Sequence, residues 1–290
     1  MTTIITLPTK DNILRWLNIS NEILPYIETT KKLIVDFQNV TFLETRNLVL
    51  LACYLEYFYK KNVIIEFKNI SPKIQYHLNN INFEDYFKLN NRGNFFTPKN
   101  STTIPLWNIK QAEGYSYSTF AQSFLQNHFN NKNLLFVQSN LYEIFNNIFD
   151  HAESQIGGFV ITQYYPNINQ ISYSICDLGV GIPSTINNMR ISKNESVLSD
   201  GEAIKLSTEL KVTAKSKPHN AGLGLNSIID ICQNKLGNVQ IFSNKGYYYT
   251  GFNGVAQDLN TTFIGTLINI NIDTRKLEED DEEIEFFDNF

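Results

Sequence analysis

Three short motifs follow one another across the C-terminal half of this chain, and they constrain its fold more than any other feature. The first spans Glu143 to His151, the second Asp177 to Gly181, and the third Gly222 to Leu225. The first combines carboxylates and amides with apolar residues at helical spacing, and the other two place glycine at alternate positions. One such motif alone would be weak evidence. Three in this order predict a single binding site assembled from separate parts of the chain.

The first motif puts polar side chains along one side of a helix predicted over 134–152. Glu143, Asn147 and Asp150 stand at i, i+4 and i+7, so they share a face, while the apolar residues between them turn toward a core. Carboxylate and amide oxygens suit Mg²⁺, a hard ion that takes oxygen ligands and keeps several waters. A solvated helix face is the alternative for this motif taken alone.

The second motif follows a strand predicted over 171–176, in which apolar residues alternate with serines. This alternation directs Asp177 to the apolar side of the strand. A carboxylate there needs a hydrogen-bond donor, because an unpaired buried charge is strongly destabilising. Gly179 and Gly181 would allow the backbone to turn closely beneath a ligand. An ordinary Asp-Gly turn between strand and loop is the alternative.

The third motif opens a helix predicted over 226–233. Glycines before a helix N-terminus leave backbone N–H groups and the positive end of the helix dipole open to an anion. The motif therefore predicts a phosphate-binding turn made by Gly222, Leu223, Gly224 and Leu225. Two glycines at this spacing can also simply mark the start of a helix. That is the alternative for this motif taken alone.

Together the motifs resemble the N, G1 and G2 boxes of the GHKL ATPases, the superfamily of gyrase, Hsp90, histidine kinases and MutL. The resemblance implies ATP and Mg²⁺ as cofactors, with Asn147 as the magnesium ligand and Glu143 as the catalytic general base. It makes Asp177 the acceptor for the exocyclic amine of adenine and places Thr266 near that base, although an ordinary strand threonine is nearly as good a reading. The residues implied to bind the nucleotide are Asn147, Asp150, Asp177, Gly179, Gly181, Lys215, Gly222, Leu223, Gly224, Leu225 and Thr266.

The stretch 182–221 corresponds to the ATP lid of that superfamily. Its polar string from Thr213 to Asn220 could fold over the phosphates, with Lys215 or Lys217 as the counter-charge. A lysine-rich surface loop without a function is the alternative. Elsewhere in this half, the pattern predicts a helix over 118–130, a hairpin of strands 159–165 and 171–176, and strands over 239–243, 247–252 and 263–272.

The N-terminal part alternates between strand-like and helix-like segments. Strands are predicted over 33–37 and 63–67, separated by a helix over 46–59 that has Thr45 as its N-cap. A further helix is predicted over 71–87, where proline stands at the first helical position. A strand, a helix and a second strand of these lengths predict a right-handed βαβ unit.

This N-terminal part resembles the STAS domains of anti-sigma antagonists, in which a phosphorylatable Asp-Ser-Ser-Gly motif begins the helix. Here Glu44, Arg46 and Asn47 depart from that motif, and Thr45 is the one hydroxyl left in it. The module is therefore expected to be a docking or dimerisation surface rather than a phosphoacceptor. Because both resembled families commonly pair, a homodimer stays open.

The expected fold class is α/β (α+β). A STAS-like α/β domain over 1–90 precedes a linker over 91–115, which is rich in Asn, Gly, Thr and Pro. A GHKL (Bergerat) α/β sandwich over 116–275 is expected to have a mixed sheet covered on one face by helices. The acidic tail over 276–290 is predicted to be disordered by charge repulsion, with a partner-docking peptide as the alternative.

Composition narrows the setting of the protein. A net charge of −5 argues against a protein-wide electrostatic grip on nucleic acid or anionic lipid. The three cysteines stand singly in apolar runs without metal-ligand spacing, which fits buried thiols in a reducing compartment. No signal peptide and no apolar run of the ~20 residues that cross a bilayer is apparent. A cytoplasmic protein is expected.

Three functions remain open on these observations. The first is an ATP-binding regulatory protein of the small anti-sigma serine kinase type, a Mg²⁺-dependent protein serine/threonine kinase that acts on a protein partner. The second is a nucleotide-gated switch or slow ATPase, in which ATP orders the lid and changes which partner is held. The third, an interaction module with a relic nucleotide fold, is least favoured because the site residues are all present.

Overall fold

The architecture is taken from a computed structural model of the chain. The structure describes residues 1–9, 12–88, 97–110, 113–147, 151–209, 236–251 and 254–279, together with Leu225 and Ile229. The protein is a mixed α/β structure with one parallel and one antiparallel sheet. Within the described ranges, no helix has both the length and the apolar composition needed to cross a lipid bilayer.

The N-terminal unit is built on a parallel sheet with strand order β1-β2-β3. Its elements, in chain order, are β1 Thr2–Thr6, α1 Ile13–Ile23, β2 Lys32–Asp36, α2 Thr45–Lys60, β3 Ile64–Lys68, α3 Pro72–Asn80 and α4 Phe83–Lys88. Strand β2 is central, and Val35 pairs in register with Ile5 on one side and Phe67 on the other. The predicted parallel pairing of two strands across a helix is therefore confirmed for β2, α2 and β3.

The C-terminal unit is built on a five-stranded sheet with order β4-β5-β6-β8-β7. Its elements are β4 Thr103–Ile109, α5 Gly114–Gln126, α6 Leu135–Asn147, β5 Gly158–Tyr165, β6 Gln170–Asp177, α7 Ile182–Ser192, α8 Asp200–Glu209, β7 Gly237–Tyr249 and β8 Val255–Asp273. The hairpin of β5 and β6 is confirmed, with Asn169 in the left-handed region at its turn. Every pairing in this sheet is antiparallel, so the prediction of a mixed sheet is wrong.

Both faces of the five-stranded sheet are covered by helices, which corrects the prediction that helices cover only one. Strand β6 shows the reason, because its side chains alternate between two hydrophobic cores. Tyr173 lies in a core with residues of α5 and α6, such as Tyr117 and Phe145. Cys176 lies in the other core, which includes the buried apolar residues of α1 and α2. The N-terminal helices therefore form the second layer over the antiparallel sheet.

Helix α2 is joined to β6 by hydrogen bonds between buried polar groups. The Thr45 Oγ1 atom lies 3.0 Å from Ser172 Oγ and 2.7 Å from Ser174 Oγ, and Ser174 Oγ lies 2.7 Å from Asn269 Oδ1 on β8. Further along α2, the Cys53 thiol donates to the Cys176 carbonyl oxygen at 3.2 Å. Helix α2 of the N-terminal unit is thus packed against β6 of the same chain.

Thr45 is not the N-cap of α2, contrary to the prediction. Glu44 is the N-cap residue and has an extended backbone, while Thr45 is the first residue of the helix. Thr45 is 2 % exposed, and its hydroxyl bonds to the serines of β6 rather than to the helix terminus. Ser172 and Ser174 of β6 lie opposite this position, so the Thr45 hydroxyl bonds to them and does not cap the helix.

The predicted linker over 91–115 contains a strand. Residues Thr103–Ile109 form β4 at the edge of the five-stranded sheet, and all seven are buried. The Asn- and Gly-rich composition that indicated a linker is concentrated at 90–94, which lies outside the described residues. The apolar run that follows it is strand β4 of the five-stranded sheet.

Three further predictions need correction. The helix predicted over 71–87 is two helices, α3 and α4, because Asn82 takes a positive φ of 55° between them. The strands predicted over 239–243 and 247–252 are one strand, β7, with irregular register at Asn244. The tail predicted to begin at residue 276 is ordered at its start, since Leu277 is buried and the Glu278 carbonyl accepts from Asn133 N–H at 3.1 Å. Residues 280–290 lie outside the described part.

Candidate functional site

The second motif forms a tight turn at the end of β6. Asp177 is the last residue of that strand and is 2 % exposed. Its Oδ1 accepts a hydrogen bond from the Gly179 N–H at 2.7 Å. Strand parity predicted an inward-facing carboxylate at this position, and the structure places it on the buried side of the turn. The carboxylate is therefore preorganised rather than solvated.

The turn needs glycine at position 179 because two backbone segments meet there. A Cβ on Gly179 would lie 2.0 Å from the Ala152 carbonyl oxygen, far inside any real contact. That same carbonyl accepts from the Val180 N–H at 2.7 Å. Gly181 follows as the N-cap residue of α7. The turn is thus held against the segment that follows the first motif.

Thr266 lies beside Asp177, on the neighbouring strand β8. The two residues are partners in the β6–β8 register, and the Thr266 backbone N–H also bonds to the Asp177 carboxylate. Gly265, just before it, has a φ of +111°, and a Cβ there would lie 2.1 Å from the Asp177 carbonyl oxygen. Thr266 therefore lies directly beside Asp177, and its place near an adenine stays a prediction.

Ser243 on β7 completes this polar cluster, and the sequence analysis did not single it out. Its hydroxyl donates to the Gly265 carbonyl oxygen at 2.8 Å, and it lies 3.0 Å from Thr266 Oγ1. The Ile182 N–H donates to the same hydroxyl at 2.9 Å, which ties the start of α7 to β7. The signal that could have found Ser243 is strand parity, because Val239 and Ile241 on the same face are core residues.

The protonation state of Asp177 is set by burial. Desolvation raises the pKa of Asp177 from 3.8 to about 7, against the lowering effect of the backbone hydrogen bonds from Gly179 and Thr266. A further N–H donor directed at this carboxylate would stabilise its charged form and lower the pKa again. The site therefore favours a ligand that brings a hydrogen-bond donor.

The first motif begins on α6, and Ala152, the residue that follows the motif, contacts this turn in space. Glu143 is partly buried, and its neighbours Ile144 and Phe145 are core residues, as predicted. Asn147 is the last residue of α6 as described, and its side chain lies outside the described part, as does the whole of Asp150. Ala152, the residue after the first motif, contacts Gly179 and Val180 of the turn. The structure thus brings the residue that follows the first motif against the second motif.

The third motif falls largely outside the described residues. Lys215, Gly222, Leu223 and Gly224 are not described, and the predicted phosphate-binding turn is therefore not placed. Leu225 is partly buried and packs against the core that α5 and α6 form with the sheet. Ile229, in the predicted helix, is buried in that same core. The C-terminal side of the third motif therefore packs on the layer that contains α6.

The stretch predicted as a lid begins with two helices, α7 and α8. Ile204 of α8 is buried in the core of the second unit. The Lys245 N–H donates to Asp200 Oδ2 at 2.8 Å, and the Gly201 N–H donates to Asp258 Oδ1 at 2.6 Å. The first part of this stretch is thus fixed to β7 and β8. The polar string from Thr213 to Asn220 lies outside the described residues.

The chemistry available here is hydrogen-bond recognition. A buried carboxylate, two hydroxyls and glycine backbone form a small polar cluster whose chemistry is that of hydrogen-bond donors and acceptors. Within the described ranges, no group of three or more His, Cys, Asp or Glu side chains could hold a metal ion. Oxygen ligation of Mg²⁺ by Asn147 rests on a side chain outside those ranges.

No protein-family model matches this chain, and no curated protein matches it at a significant level. What can be said of its function therefore follows from the residues and contacts described above.

Proposed function

We propose that this protein is an ATP-binding regulatory protein with a GHKL-type nucleotide site and a STAS-like N-terminal unit. Its proposed activity is that of a Mg²⁺-dependent protein serine/threonine kinase acting on a protein partner. The observation that carries the proposal is the buried Asp177 carboxylate at the end of β6. Gly179 holds this carboxylate, and Thr266 is its partner in the strand register.

The chemistry of adenine fits this carboxylate. The exocyclic amine is a neutral N–H donor, and a buried acceptor gains most from such a donor because water does not compete for it. The Thr266 hydroxyl, which lies 3.0 Å from Ser243 Oγ, adds a hydrogen-bond acceptor next to the purine. The resemblance to the GHKL family implies that the base lies next to the turn at Gly179.

The phosphoryl-transfer roles rest on the first motif and its resemblance to the N box. Glu143 on α6 would orient or deprotonate the acceptor hydroxyl, and Asn147 would hold Mg²⁺. Bound Mg²⁺ supplies charge neutralisation for the phosphates. Both residues precede Ala152 in the chain, and the Ala152 carbonyl oxygen accepts from the Val180 N–H in the turn.

A nucleotide-gated switch is the second candidate, and one contact favours it. Helix α2 of the STAS-like unit bonds through Thr45 to Ser172 and Ser174 on β6, the strand that ends at Asp177. A change at the nucleotide site therefore has a short structural route to the N-terminal unit. In this reading ATP changes the partner surface, and hydrolysis is slow or absent.

One experiment separates the two candidates. The purified protein is incubated with γ-labelled ATP and Mg²⁺, with and without lysate from its host, beside Asp177→Asn and Glu143→Gln variants. A kinase labels a lysate protein, loses the label in both variants, and keeps ATP binding in Glu143→Gln. ATP binding without transfer of label refutes the kinase and leaves the switch. Because Thr45 is buried, we expect no label at that residue of the native chain.

A further inference from the structure

One edge of the parallel sheet is formed by β1, which pairs with β2 alone in the described part of the chain. Contacts at the two ends of β1 fix the direction of its backbone groups. The Leu7 N–H donates to the Asp36 carbonyl oxygen at 2.9 Å, and the Met1 carbonyl oxygen accepts from the Lys32 N–H at 3.4 Å. Because backbone groups alternate in direction along a strand, the odd-numbered residues of β1 point theirs toward β2.

The even-numbered residues of β1 therefore point their backbone groups away from the sheet. These residues are Thr2, Ile4 and Thr6, and across the described ranges no hydrogen-bond partner meets their N–H and C=O groups on this side. Their side chains are exposed as well, and Ile4 is 62 % exposed. A row of free donors and acceptors of this kind is a template for another strand.

The sequence of β1 leaves this edge unprotected. Natural proteins keep a strand edge single with charged side chains, proline or a bulge. Strand β1 is Thr-Thr-Ile-Ile-Thr, which has no charge and no proline, and its register with β2 is unbroken. Strand β3, at the opposite edge, contains Glu66 and Lys68. The sheet is thus charged at its β3 edge and open to pairing at its β1 edge.

The outward residues of β1 have the same order in both directions. Thr2 and Thr6 flank Ile4 at equal spacing, so a second copy turned about a twofold axis at Ile4 places isoleucine opposite isoleucine and threonine opposite threonine. In an antiparallel ladder, residues two apart form hydrogen-bonded pairs, and each such pair exchanges two bonds. This register satisfies all three outward residues, whereas a shift by two residues keeps only two of the three pairs.

From this arrangement we propose that two copies of the chain form a symmetric dimer by antiparallel pairing of their β1 strands. The two three-stranded sheets then become one continuous six-stranded sheet. A twofold interface needs a surface that is complementary to itself, and the outward residues of β1 meet that condition. Cross-strand pairs of β-branched residues and of threonines are also favourable. No residue of the Asp177 cluster takes part, so the proposal is independent of the proposed ATP site.

The test is sedimentation velocity of the full-length protein over a range of concentrations. Two paired strands of five residues form a small interface, so we expect a dissociation constant on the order of 10 μM. Ile4→Lys puts two ammonium groups opposite each other at the axis and should weaken the dimer at least about tenfold. Ile64→Lys is the matched control, because Ile64 is 67 % exposed and lies at the opposite edge. This control and Asp177→Asn should dimerise like wild type.

Cysteine variants test the register of the pairing. The Cα atoms of a hydrogen-bonded antiparallel pair lie about 5.5 Å apart, which a disulfide can span. We expect Ile4→Cys to form a covalent dimer under mild oxidation, and Thr2→Cys and Thr6→Cys to cross-link only when mixed with each other. Ile64→Cys should not cross-link. A wild-type monomer at about 200 μM, wild-type affinity in Ile4→Lys, or cross-linking of Thr2→Cys alone as efficient as that of Ile4→Cys would overturn the proposal.

Discussion

The hydroxyl of Thr45 should contribute measurably to the stability of the whole chain, because it links the two units. Thr45 Oγ1 lies within 3.0 Å of Ser172 Oγ and within 2.7 Å of Ser174 Oγ, all three in the buried interface between α2 and β6. Substitution of Thr45 by valine keeps the shape and removes the hydroxyl. Both serines then lose a partner in a place that water does not reach.

The expected loss follows from the number of groups left unsatisfied. A buried polar group without its partner costs about 1–3 kcal/mol, so we expect Thr45→Val to lower the free energy of unfolding by about 2 kcal/mol. With a urea m-value of about 2 kcal/mol/M, the midpoint falls by roughly 1 M and the slope stays the same. The double variant with Ser174→Ala should lose less than the sum of the two single variants, because they share one hydrogen bond.

The assay is equilibrium unfolding in urea followed by fluorescence and circular dichroism. Thr29→Val is the matched control, since the Thr29 hydroxyl is exposed and bonds only locally to the Tyr26 carbonyl oxygen. We expect this control to stay within about 0.5 kcal/mol of wild type. If Thr45→Val is as stable as the control, or if the two positions are additive, Thr45 is not in a buried interface and the packing of α2 on β6 is refuted.

Three other predictions concern single positions. Gly265→Ala should destabilise the protein by more than about 1 kcal/mol in urea, because φ is +111° and the added Cβ would lie 2.1 Å from the Asp177 carbonyl oxygen; unchanged stability contradicts this geometry. Burial raises the pKa of Asp177 to about 7, so its proton stabilises the fold at low pH and this stability is lost as the pH rises through 7; relative to Asp177→Asn, wild type should lose up to about 1.4 kcal/mol per pH unit between pH 5 and 7, and a constant difference refutes the shift. Asn47→Leu should raise the urea midpoint, because both polar atoms of the Asn47 amide are buried without a hydrogen-bond partner in the described fold; a lower midpoint contradicts that description.

Local pattern was sufficient for much of the secondary structure. The alternation of Ile171, Tyr173 and Ile175 with serines identified β6 and directed Asp177 inward, and the structure has both features. The same alternation predicts that β6 has one buried face and one polar face. Serines can also be buried when a second helix layer supplies hydroxyl partners, as Thr45 does. Sequence alone does not reveal that partner, because it lies more than a hundred residues away in the chain.

The errors elsewhere have local physical causes. Composition predicts a linker where β4 lies, because the Asn- and Gly-rich segment next to this strand dominates the composition of the region. The sequence pattern predicts one helix that continues through Asn82. The left-handed backbone of Asn82 instead separates α3 from α4. The sequence does not single out Ser243, because one serine within a strand does not form a recognisable motif. Its role appears only when β7 and β8 are paired and its hydroxyl meets Thr266.

The most direct test of the proposed function is calorimetric titration of the purified protein with ATP and Mg²⁺. The titration is repeated with Asp177→Asn and with Asp85→Asn, whose carboxylate lies on α4 and pairs with Lys99 at 3.6 Å. We predict binding to wild type and to Asp85→Asn with equal affinity, and a loss of at least about tenfold in Asp177→Asn. No ATP binding to wild type, or equal affinity in all three proteins, would contradict the assignment of Asp177 as the residue that recognises adenine.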